Sequence, residues 1–413
     1  MTQLRSRVAV SPLRRDLLAA SSLPTVDALV AVERPAEPMH CLRPAAVAAA
    51  TRRFVSGFPG DVLYAVKCNP EPAVLRAVWA GGVRRFDCAS LGEVALVRRM
   101  FRGAAIHFMH PVKSRQAIRA SYAEHGVRDF VLDGADELAK ILEETGEETG
   151  NAADLGLIVR LALPPGGARY DLSGKFGATL EEAAALLRLA RPLAARLGVS
   201  FHVGSQCMEP LSYRRAIALA GRAIRLAGVA VEVVDVGGGF PVRYPDLEPP
   251  APGAYFAEIE AAFEALALPP GTRLWAEPGR ALVADGTSVV VHVLQRRGDA
   301  LYVNDGIYGS LSDAGAPGFR FPARLIRPGA AAEPRAFELF GPTCDSADHM
   351  RGPFLLPGDV REGDWIEVGQ LGAYGACLRT AFNGFDRARL VEVRDPPLPG
   401  AAATADERLA EAA

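Results

Sequence analysis

Residues 62–70 read VLYAVKCNP, an apolar run that ends in a lysine, a cysteine and the turn pair Asn-Pro. Five successive apolar residues are typical of a buried parallel strand, and Lys67 follows at its carboxyl end. Lysine is almost never fully buried without a partner, and a partly desolvated amine is a usable nucleophile toward an aldehyde cofactor. The segment alone leaves two interpretations open: a Schiff-base lysine, or a lysine at a strand edge that extends to water.

The same pattern of apolar run, polar end and amphipathic stretch repeats between about residues 60 and 280. Helical stretches at 91–101, 180–197, 211–227 and 254–266 separate some of the runs. Eight strand-helix units match a (β/α)8 barrel, with a doubly wound open sheet as the alternative. A dinucleotide-binding fold would place G-x-G-x-x-G after its first strand, where this chain has Lys67. The predicted strands are 62–66, 84–88, 104–109, 129–132, 155–161, 199–203, 231–236 and 273–276.

After about residue 282 the pattern changes to short β-like runs with Gly, Pro and Asp between them. Such runs predict an antiparallel sheet or sandwich domain. We therefore divide the chain into an N-terminal segment (1–40) that packs with the β domain, a cofactor-binding barrel (41–282), a C-terminal β domain (283–395) and a disordered tail (396–413).

Composition narrows the class of protein. The chain has 413 residues, which is long for a single core, and 49% hydrophobic and 23% charged residues, as in globular enzymes. A net charge of -2 gives no electrostatic case for nucleic acid or an anionic membrane. Because no apolar run approaches a membrane span and Pro24 and Asp27 interrupt the N-terminal segment, we expect a cytoplasmic protein without a signal peptide. The six cysteines form no C-x-x-C pair, so zinc and disulfide frameworks are not expected.

Chemically suggestive residues share one position relative to the predicted strands. In a barrel, residues that end or follow strands gather at the carboxyl-terminal face, where active sites are built. Packing alone does not explain so many polar and glycine positions on one rim. These positions are Lys67, Asp87, Arg160, His202, Gly237, Gly238, Gly239 and Glu277.

Three of these segments suit a phosphate and a pyridine ring. The glycines 237–239 leave backbone N–H groups free for an anion, or form a flexible turn. In EPGR (277–280), Gly279 and Arg280 suit phosphate, and a Glu277 carboxylate would keep a pyridine nitrogen protonated, unless Glu277 and Arg280 simply pair. In HVGSQ (202–206), the imidazole can stack on a flat cofactor and the serine can bind phosphate, although a lone histidine is more often structural.

The β domain offers a second set. In GPTCDS (341–346), Cys344 could donate a proton and Asp345 could anchor a cation, or the cysteine is idle. Tyr374 in GAYG could bind phosphate or pack. His107 and His110 lie three apart on a strand and point to opposite faces, so no metal site is predicted there.

Together and in this order, the motifs resemble those of the fold-type III pyridoxal-phosphate-dependent amino-acid decarboxylases, which act on ornithine, lysine, arginine or diaminopimelate. The resemblance spans about residues 40–390. It rests on YAVKCN (64–69), FDCAS (86–90), HVGSQ (202–206), DVGGGF (235–240), EPGR (277–280), VNDGIYG (303–309), GPTCD (341–345), GAY (372–374) and FNGF (382–385).

The resemblance implies a role for each residue. Lys67 would form the Schiff base with pyridoxal 5'-phosphate, His202 would stack on its ring and Glu277 would contact its nitrogen. Cys344 would protonate the carbon that loses CO2, and Asp345 would bind the distal ammonium from the partner subunit of a homodimer. The phosphate would lie on Ser205, Gly237, Gly238, Gly239, Gly279, Arg280 and Tyr374, and the polar shell of Lys67 would contain Asp87 and Arg160.

The substrate is less defined. The Cys344-Asp345-Ser346 segment resembles the diamine-forming branch, which favours L-ornithine or L-lysine, with diaminopimelate and arginine as alternatives. The chain departs from the eukaryotic-type ornithine decarboxylases, in which a Tyr-Asp-His group lies a few residues beyond Gly-Ser and its aspartate holds the distal amine. In this chain Ser312 and Asp313 follow Gly309-Ser310, so the aspartate lies closer to Gly-Ser than the aspartate of the Tyr-Asp-His group does. We expect Asp313, with Tyr308, to contact the substrate. More remote alternatives are an alanine-racemase-like enzyme and a non-catalytic regulatory homologue.

Overall fold

The computed structural model describes residues 23–146, 154–329 and 332–398. Most of the predicted N-terminal segment (1–22) and tail (399–413) lies outside these residues. The strands are β1 (Met39–Leu42), β2 (Asp61–Ala65), β3 (Arg85–Cys88), β4 (Ala105–Phe108), β5 (Asp129–Leu132), β6 (Gly156–Arg160), β7 (Ala168–Tyr170), β8 (Arg196–Ser200), β9 (Ser205–Cys207), β10 (Val233–Asp235), β11 (Arg273–Ala276), β12 (Thr287–Arg297), β13 (Ala300–Val303), β14 (Ala323–Ile326), β15 (Pro334–Phe340), β16 (His349–Pro357), β17 (Trp365–Val368) and β18 (Arg389–Glu392).

The helices alternate with the first group of strands. Several begin at a serine or threonine whose side chain accepts a hydrogen bond from the first turn, as Ser90 does from the Glu93 amide. The helices are α1 (Val26–Glu33), α2 (Pro44–Gly57), α3 (Pro72–Ala80), α4 (Leu91–Met100), α5 (Arg115–Ala123), α6 (Ala135–Glu144), α7 (Leu180–Ala190), α8 (Leu211–Ala227), α9 (Pro252–Glu264) and α10 (Arg280–Val283).

Eight parallel strands close a barrel in the order β10-β11-β2-β3-β4-β5-β6-β8, which confirms the predicted (β/α)8 barrel. An apolar cluster of six side chains fills part of the interior, and the main core lies between the strands and the surrounding helices. All carboxyl ends of the strands therefore meet on one face, as the prediction of a shared rim requires.

One predicted helix and the strand after it have wrong bounds. The helix predicted to residue 197 ends at Ala190, because Pro192 has no backbone N–H to continue it. The chain then passes through a 3-10 turn into β8 at Arg196 rather than at residue 199. His202 consequently lies beyond the end of β8, in the loop at the barrel mouth.

A second sheet follows the barrel in the order β14-β17-β12-β13-β15-β16, and β1 pairs with both β12 and β18. Most pairs are antiparallel, as predicted, while β1–β18 and β13–β15 are parallel, so the sheet is mixed. Its core includes Val289, Val291, Leu301, Phe337, Phe354 and Ile366.

A buried histidine joins β1 to the loop after β13. The imidazole of His40 lies 3.0 Å from Ser310 Oγ, beside the Arg379–Asp305 ion pair, and only 4% of the residue is exposed. Burial lowers the pKa of His40 to about 4. The negative charge of Asp305 partly opposes this shift, and the positive charge of Arg379 adds to it. The folded protein thus holds this side chain neutral.

We expect His40 to make the protein less stable in mild acid. The unfolded chain binds a proton near pH 6.5 and the folded chain only near pH 4, so stability is lost as pH falls between these values. His40 alone should lower the free energy of unfolding by about 2 kcal/mol when the pH falls from 7.5 to 5. Urea denaturation of wild type and His40→Gln at both pH values measures it, with His349→Gln as the control at a partly exposed histidine. An unchanged pH dependence in His40→Gln would contradict the assignment.

Candidate active site

Lys67 lies in a one-turn 3-10 helix (Val66–Cys68) directly after β2. Asn69 shapes this turn: its side-chain amide donates to the Gly372 carbonyl (2.7 Å), and its side-chain oxygen accepts from the Glu71 amide (3.1 Å). The hydroxyl of Tyr64 donates to the Asn69 carbonyl (3.0 Å). The lysine backbone is therefore fixed by the β domain as well as by the barrel.

The Lys67 ammonium forms an ion pair with Asp87 at the end of β3. The distance from Nζ to Oδ2 is 2.7 Å; the carboxylate is buried, while 41% of the lysine side chain is exposed. Burial would lower the pKa of Lys67, but the charges of Asp87 and Glu277 raise it above its ordinary value. The amine is thus protonated, accessible and placed next to a proton acceptor.

Two carboxyl groups, the buried Asp235 and the half-buried Glu277, lie at the ends of β10 and β11. Burial, together with the neighbouring Asp235 and Asp87, raises the pKa of Glu277 well above its ordinary range. Asp235 accepts a hydrogen bond from the Gly237 amide (2.9 Å) and interacts with the Glu277 side chain. The pair therefore holds a proton at the position where the sequence predicts the pyridine nitrogen.

His202 and Arg160 complete the rim near Lys67. Burial, reinforced by the positive charges of Arg160 and Lys67, lowers the pKa of His202 to about 3. Its Nδ1 accepts from the Gly204 amide (3.0 Å), which assigns the proton to Nε2. A neutral flat ring thus faces the barrel mouth, and Arg160 lies at the end of β6.

The glycine segment after β10 permits close packing of backbone around this mouth. Gly237 and Gly239 have φ of 66° and 99°, which side chains other than glycine rarely adopt. A Cβ on Gly238 would lie 2.7 Å from the Glu277 carbonyl and 3.1 Å from His202 Nε2. These contacts place Gly238 between the histidine and the glutamate. Ser205 begins β9 nearby.

Arg280 begins α10 after Gly279 and is almost completely buried. Its Nη1 donates to the Tyr244 hydroxyl (2.8 Å), and the Tyr374 ring centroid lies 5.1 Å from the guanidinium carbon. Its Nε is buried and has no hydrogen-bond partner among the described residues. Tyr374 adopts a left-handed φ of 61°, and its amide donates to the Cys68 carbonyl (2.9 Å). A buried cation with a free N–H therefore lies beside the lysine turn.

Cys344 and Asp345 lie apart from the Lys67 residues, on an exposed loop of the β domain. Asp345 accepts a short hydrogen bond from the Tyr308 hydroxyl, which lowers the pKa of its carboxyl. The Asn383 side chain accepts from the Cys344 amide (3.0 Å). An open cleft of about 450 Å³ adjoins both residues. Among the residues that the structure describes, no hydrogen bond or ion pair connects this loop to Lys67.

Asp348 and Asp305 shape the loops that carry this second group. Asp348 accepts from the amides of Ile307 (2.8 Å) and Thr343 (3.1 Å), so one carboxylate joins the tyrosine and cysteine loops. Asp305 accepts from the amides of Gly306 and Ser310. The pairing of Tyr308 with Asp345 follows from this buried scaffold.

Several residues at the site were not anticipated. Tyr244 carries no sequence signal for its bond to Arg280, whereas Asp235 lay inside a quoted motif without a role. The thiol of Cys377 donates to the carbonyls of Lys67 (3.3 Å) and Cys68 (3.5 Å). Asp313, predicted as a substrate contact, instead forms an ion pair with Arg280.

Two kinds of feature are absent from the residues that the structure describes. None of their helices has the length and apolar character required to cross a bilayer. No three of their His, Cys, Asp or Glu side chains gather into a group that could hold a metal ion.

Comparison with known proteins agrees with this geometry. Residues 45–284 match the family model described as "Pyridoxal-dependent decarboxylase, pyridoxal binding domain". The chain belongs to the pyridoxal-dependent decarboxylases. It is therefore a carboxy-lyase with pyridoxal phosphate as its cofactor, as the motifs predicted.

Individual relatives are similar over most of their length. A lysine/ornithine decarboxylase of Selenomonas ruminantium is 32% identical over 360 residues, which is 84% of this chain and 86% of the relative. An ornithine decarboxylase of Panagrellus redivivus is 33% identical over 353 residues, 79% and 78% of the two chains. A crystal structure of lysine/ornithine decarboxylase from Vibrio vulnificus with cadaverine superimposes with a TM-score of 0.75 at 32% identity, covering 94% of this chain and 100% of the other.

The residues present fit the cofactor. The free Nε of buried Arg280 and the glycine backbone at 237–239 suit its phosphate. The shared proton of Glu277 and Asp235 suits a ring nitrogen, and the accessible Lys67 amine suits an aldehyde.

Proposed function

We propose that this protein decarboxylates L-ornithine to putrescine and also accepts L-lysine, giving cadaverine. The observation that carries the proposal is that the residues predicted to bind the cofactor and those predicted to bind and protonate the substrate lie on two separate surfaces of the chain. Lys67, Asp87 and Glu277 lie at the barrel mouth, while the exposed Cys344 and the half-buried Asp345 lie on the β domain. The similarity to lysine/ornithine decarboxylases supports the choice of substrate.

The exposed groups imply a shared site in a homodimer. We infer that the cysteine loop of one subunit covers the barrel mouth of the other. Around Cys344 and Asp345 the chain exposes large apolar side chains, including Leu294, Leu378, Phe382 and Phe385, each more than two-fifths exposed. An exposed apolar patch of this kind is typical of a protein interface.

Lys67 and Asp87 would begin the reaction. The Lys67 ammonium must lose a proton before its nitrogen can attack an aldehyde, and Asp87 Oδ2 at 2.7 Å is placed to accept it. Because the lysine side chain is partly exposed, the substrate amine can approach the same position. Asp87 would then hold whichever ammonium occupies the barrel mouth.

Bound pyridoxal phosphate supplies an electron sink for the pair of electrons that CO2 leaves behind. Glu277, with Asp235 beside it, would share its proton with the ring nitrogen and so keep the ring cationic. Neutral His202 would pack flat against the ring without adding charge. Arg280, Tyr374, Ser205, Gly279 and the three glycines would hold the phosphate.

The partner subunit would complete the chemistry. Asp345, fixed by Tyr308, would bind the distal ammonium of the substrate and so orient its α-carbon. The Cys344 thiol would donate the proton that the α-carbon takes up after CO2 leaves. Diaminopimelate carries a second carboxylate beside its distal ammonium, which Asp345 would repel, whereas the guanidinium of arginine can pair with one carboxylate, so arginine is tested directly in the assay below.

The location of the protein is also part of the proposal. All six cysteines, which lie within the described residues, are free. Free thiols are typical of a reducing compartment, and we infer that the enzyme works in the cytoplasm.

The decisive test is a side-by-side assay of CO2 release from L-ornithine, L-lysine, L-arginine and meso-diaminopimelate by the protein with pyridoxal phosphate. We expect ornithine and lysine to dominate, with kcat/KM values within about 200-fold of each other, because one methylene gives only modest discrimination. Cofactor binding without CO2 release from any of the four would overturn the proposal. Interconversion of L- and D-alanine would then favour the racemase alternative.

A further inference from the structure

Asp313 points toward Arg280, the arginine that the motifs predict to bind the phosphate. Its Oδ2 lies 2.8 Å from Nη2 of Arg280, and the two side chains are 14% and 7% exposed. This aspartate stands where the chain departs from the Tyr-Asp-His pattern of the eukaryotic-type ornithine decarboxylases. Its partner is therefore a cation of the protein itself.

The loop that carries Asp313 encloses Arg280 from two directions. Asp313 lies in a 3-10 turn (Ser312–Ala314), and its carbonyl accepts from the Phe319 amide (2.9 Å). The Phe319 ring centroid lies 5.0 Å from the guanidinium carbon. One short loop thus supplies both a negative charge and an aromatic face to the same arginine.

The position of Arg280 does not depend on Asp313 alone. The Tyr244 hydroxyl accepts from Nη1 at 2.8 Å, and the rings of Tyr244, Phe319 and Tyr374 lie 6.0, 5.0 and 5.1 Å from the guanidinium carbon. Removal of the Asp313 charge therefore leaves the guanidinium in place. What changes is the electrostatic potential at its free Nε.

We propose that Asp313 is the counter-ion of the phosphate-binding Arg280 and not a contact for the substrate's distal ammonium. The proposal rests on the proposed function, since it assigns the cofactor phosphate to Arg280. Without phosphate, Asp313 neutralises the buried guanidinium, which would otherwise be costly to bury. With phosphate, the two anions share one cation and repel each other.

The same assignment deepens the substrate preference. With Asp313 committed to Arg280, Asp345 with Tyr308 is the carboxylate left for the distal ammonium. A single carboxylate contact from the partner subunit tolerates a difference of one methylene better than two opposed carboxylates would. The enzyme should accordingly hold putrescine and cadaverine through Asp345.

The test measures binding rather than turnover. For protein freed of cofactor, we would titrate Asp313→Asn and wild type with pyridoxal phosphate and, separately, with inorganic phosphate, following absorbance and thermal unfolding. We expect both ligands to bind about tenfold more tightly to the variant, because a like charge near the phosphate is lost. Asp299→Asn, which removes an exposed carboxylate paired with Arg335, is the matched control and should bind as wild type does.

The affinity of the cofactor-loaded proteins for a diamine distinguishes the two possible roles of Asp313, counter-ion of Arg280 or contact for the distal ammonium. Putrescine should bind Asp313→Asn within about twofold of wild type, and Asp345→Asn more than tenfold less tightly. Unchanged or weaker phosphate binding in Asp313→Asn would overturn the proposal, and so would loss of putrescine affinity in that variant.

A second variant guards against misfolding. Asp313→Ser keeps a hydroxyl that can accept from Arg280 and should show the same gain in phosphate affinity if the asparagine variant does not fold. Wild type that binds inorganic phosphate but no pyridoxal phosphate would refute the proposed function, while the phosphate titration would still decide the role of Asp313.

Discussion

Replacement of Lys67 by alanine is expected to lower CO2 release from L-ornithine by about 10⁴-fold, at the upper end of what a positioned proton-transfer group contributes. The variant loses the amine that we propose attacks the aldehyde, together with the proton that Lys67 Nζ donates to Asp87 at 2.7 Å. Pyridoxal phosphate should also be lost on dialysis, because no covalent attachment holds it. Single-turnover CO2 release and the absorbance of retained cofactor measure the two effects.

Lys67→Arg is the matched control for this experiment. It keeps the charge that pairs with buried Asp87, so the folded state does not acquire an unpaired carboxylate. A guanidinium, however, does not give up its proton and cannot attack an aldehyde. We expect the arginine variant to fold as wild type and to be as inactive as the alanine variant. Activity of either variant within tenfold of wild type would refute the role of Lys67.

Two inactive variants are expected to restore each other's activity if the site is shared between subunits. Lys67→Ala damages the barrel mouth and Cys344→Ala damages the exposed loop, so a mixed dimer contains one site without either change. Equal amounts that associate at random should regain about a quarter of wild-type CO2 release. Separately tagged subunits, refolded together and purified on both tags, allow the mixed dimer to be measured directly.

The controls use pairs of changes on the same surface. Lys67→Ala mixed with Glu277→Ala leaves every barrel mouth damaged, and Cys344→Ala mixed with Asp345→Ala leaves every loop damaged. Neither pair should regain activity. If the barrel-and-loop pair also fails while doubly tagged dimers form, each site lies within one chain and the proposed arrangement is wrong.

Much of the barrel can be predicted from local patterns in the sequence. The apolar run before Lys67 predicts its strand because parallel strands covered on both sides must be apolar along their length. The rim positions then follow from topology. The sequence predicts the start of strand β8 three residues too late, because the helical and strand patterns of residues 180–203 run together. Only the proline at position 192 separates them.

The electrostatic arrangement of the site was less accessible from sequence. The pairing of Arg280 with Asp313 and Tyr244 joins loops that are about 30 residues apart or more, and nothing in their spacing encodes it. The Glu277–Asp235 proton likewise depends on two neighbouring strand ends being buried together. Chemistry carried by one motif can be predicted from that motif, whereas chemistry carried by contact between motifs requires the fold.

Strand β1 has a consequence for the order in which the protein is assembled. It pairs with β12 and β18, and the amide of Val26 and the side chain of Arg43 contact Asp395. The barrel is therefore an insertion within the β domain, whose first strand is synthesised long before its partners. During translation the barrel can close before the strands that pair with β1 have been synthesised. The sheet is completed only when β18 leaves the ribosome. We therefore expect Lys67 to gain its final surroundings only after residues 372–374, which contact Asn69 and Cys68, have been synthesised.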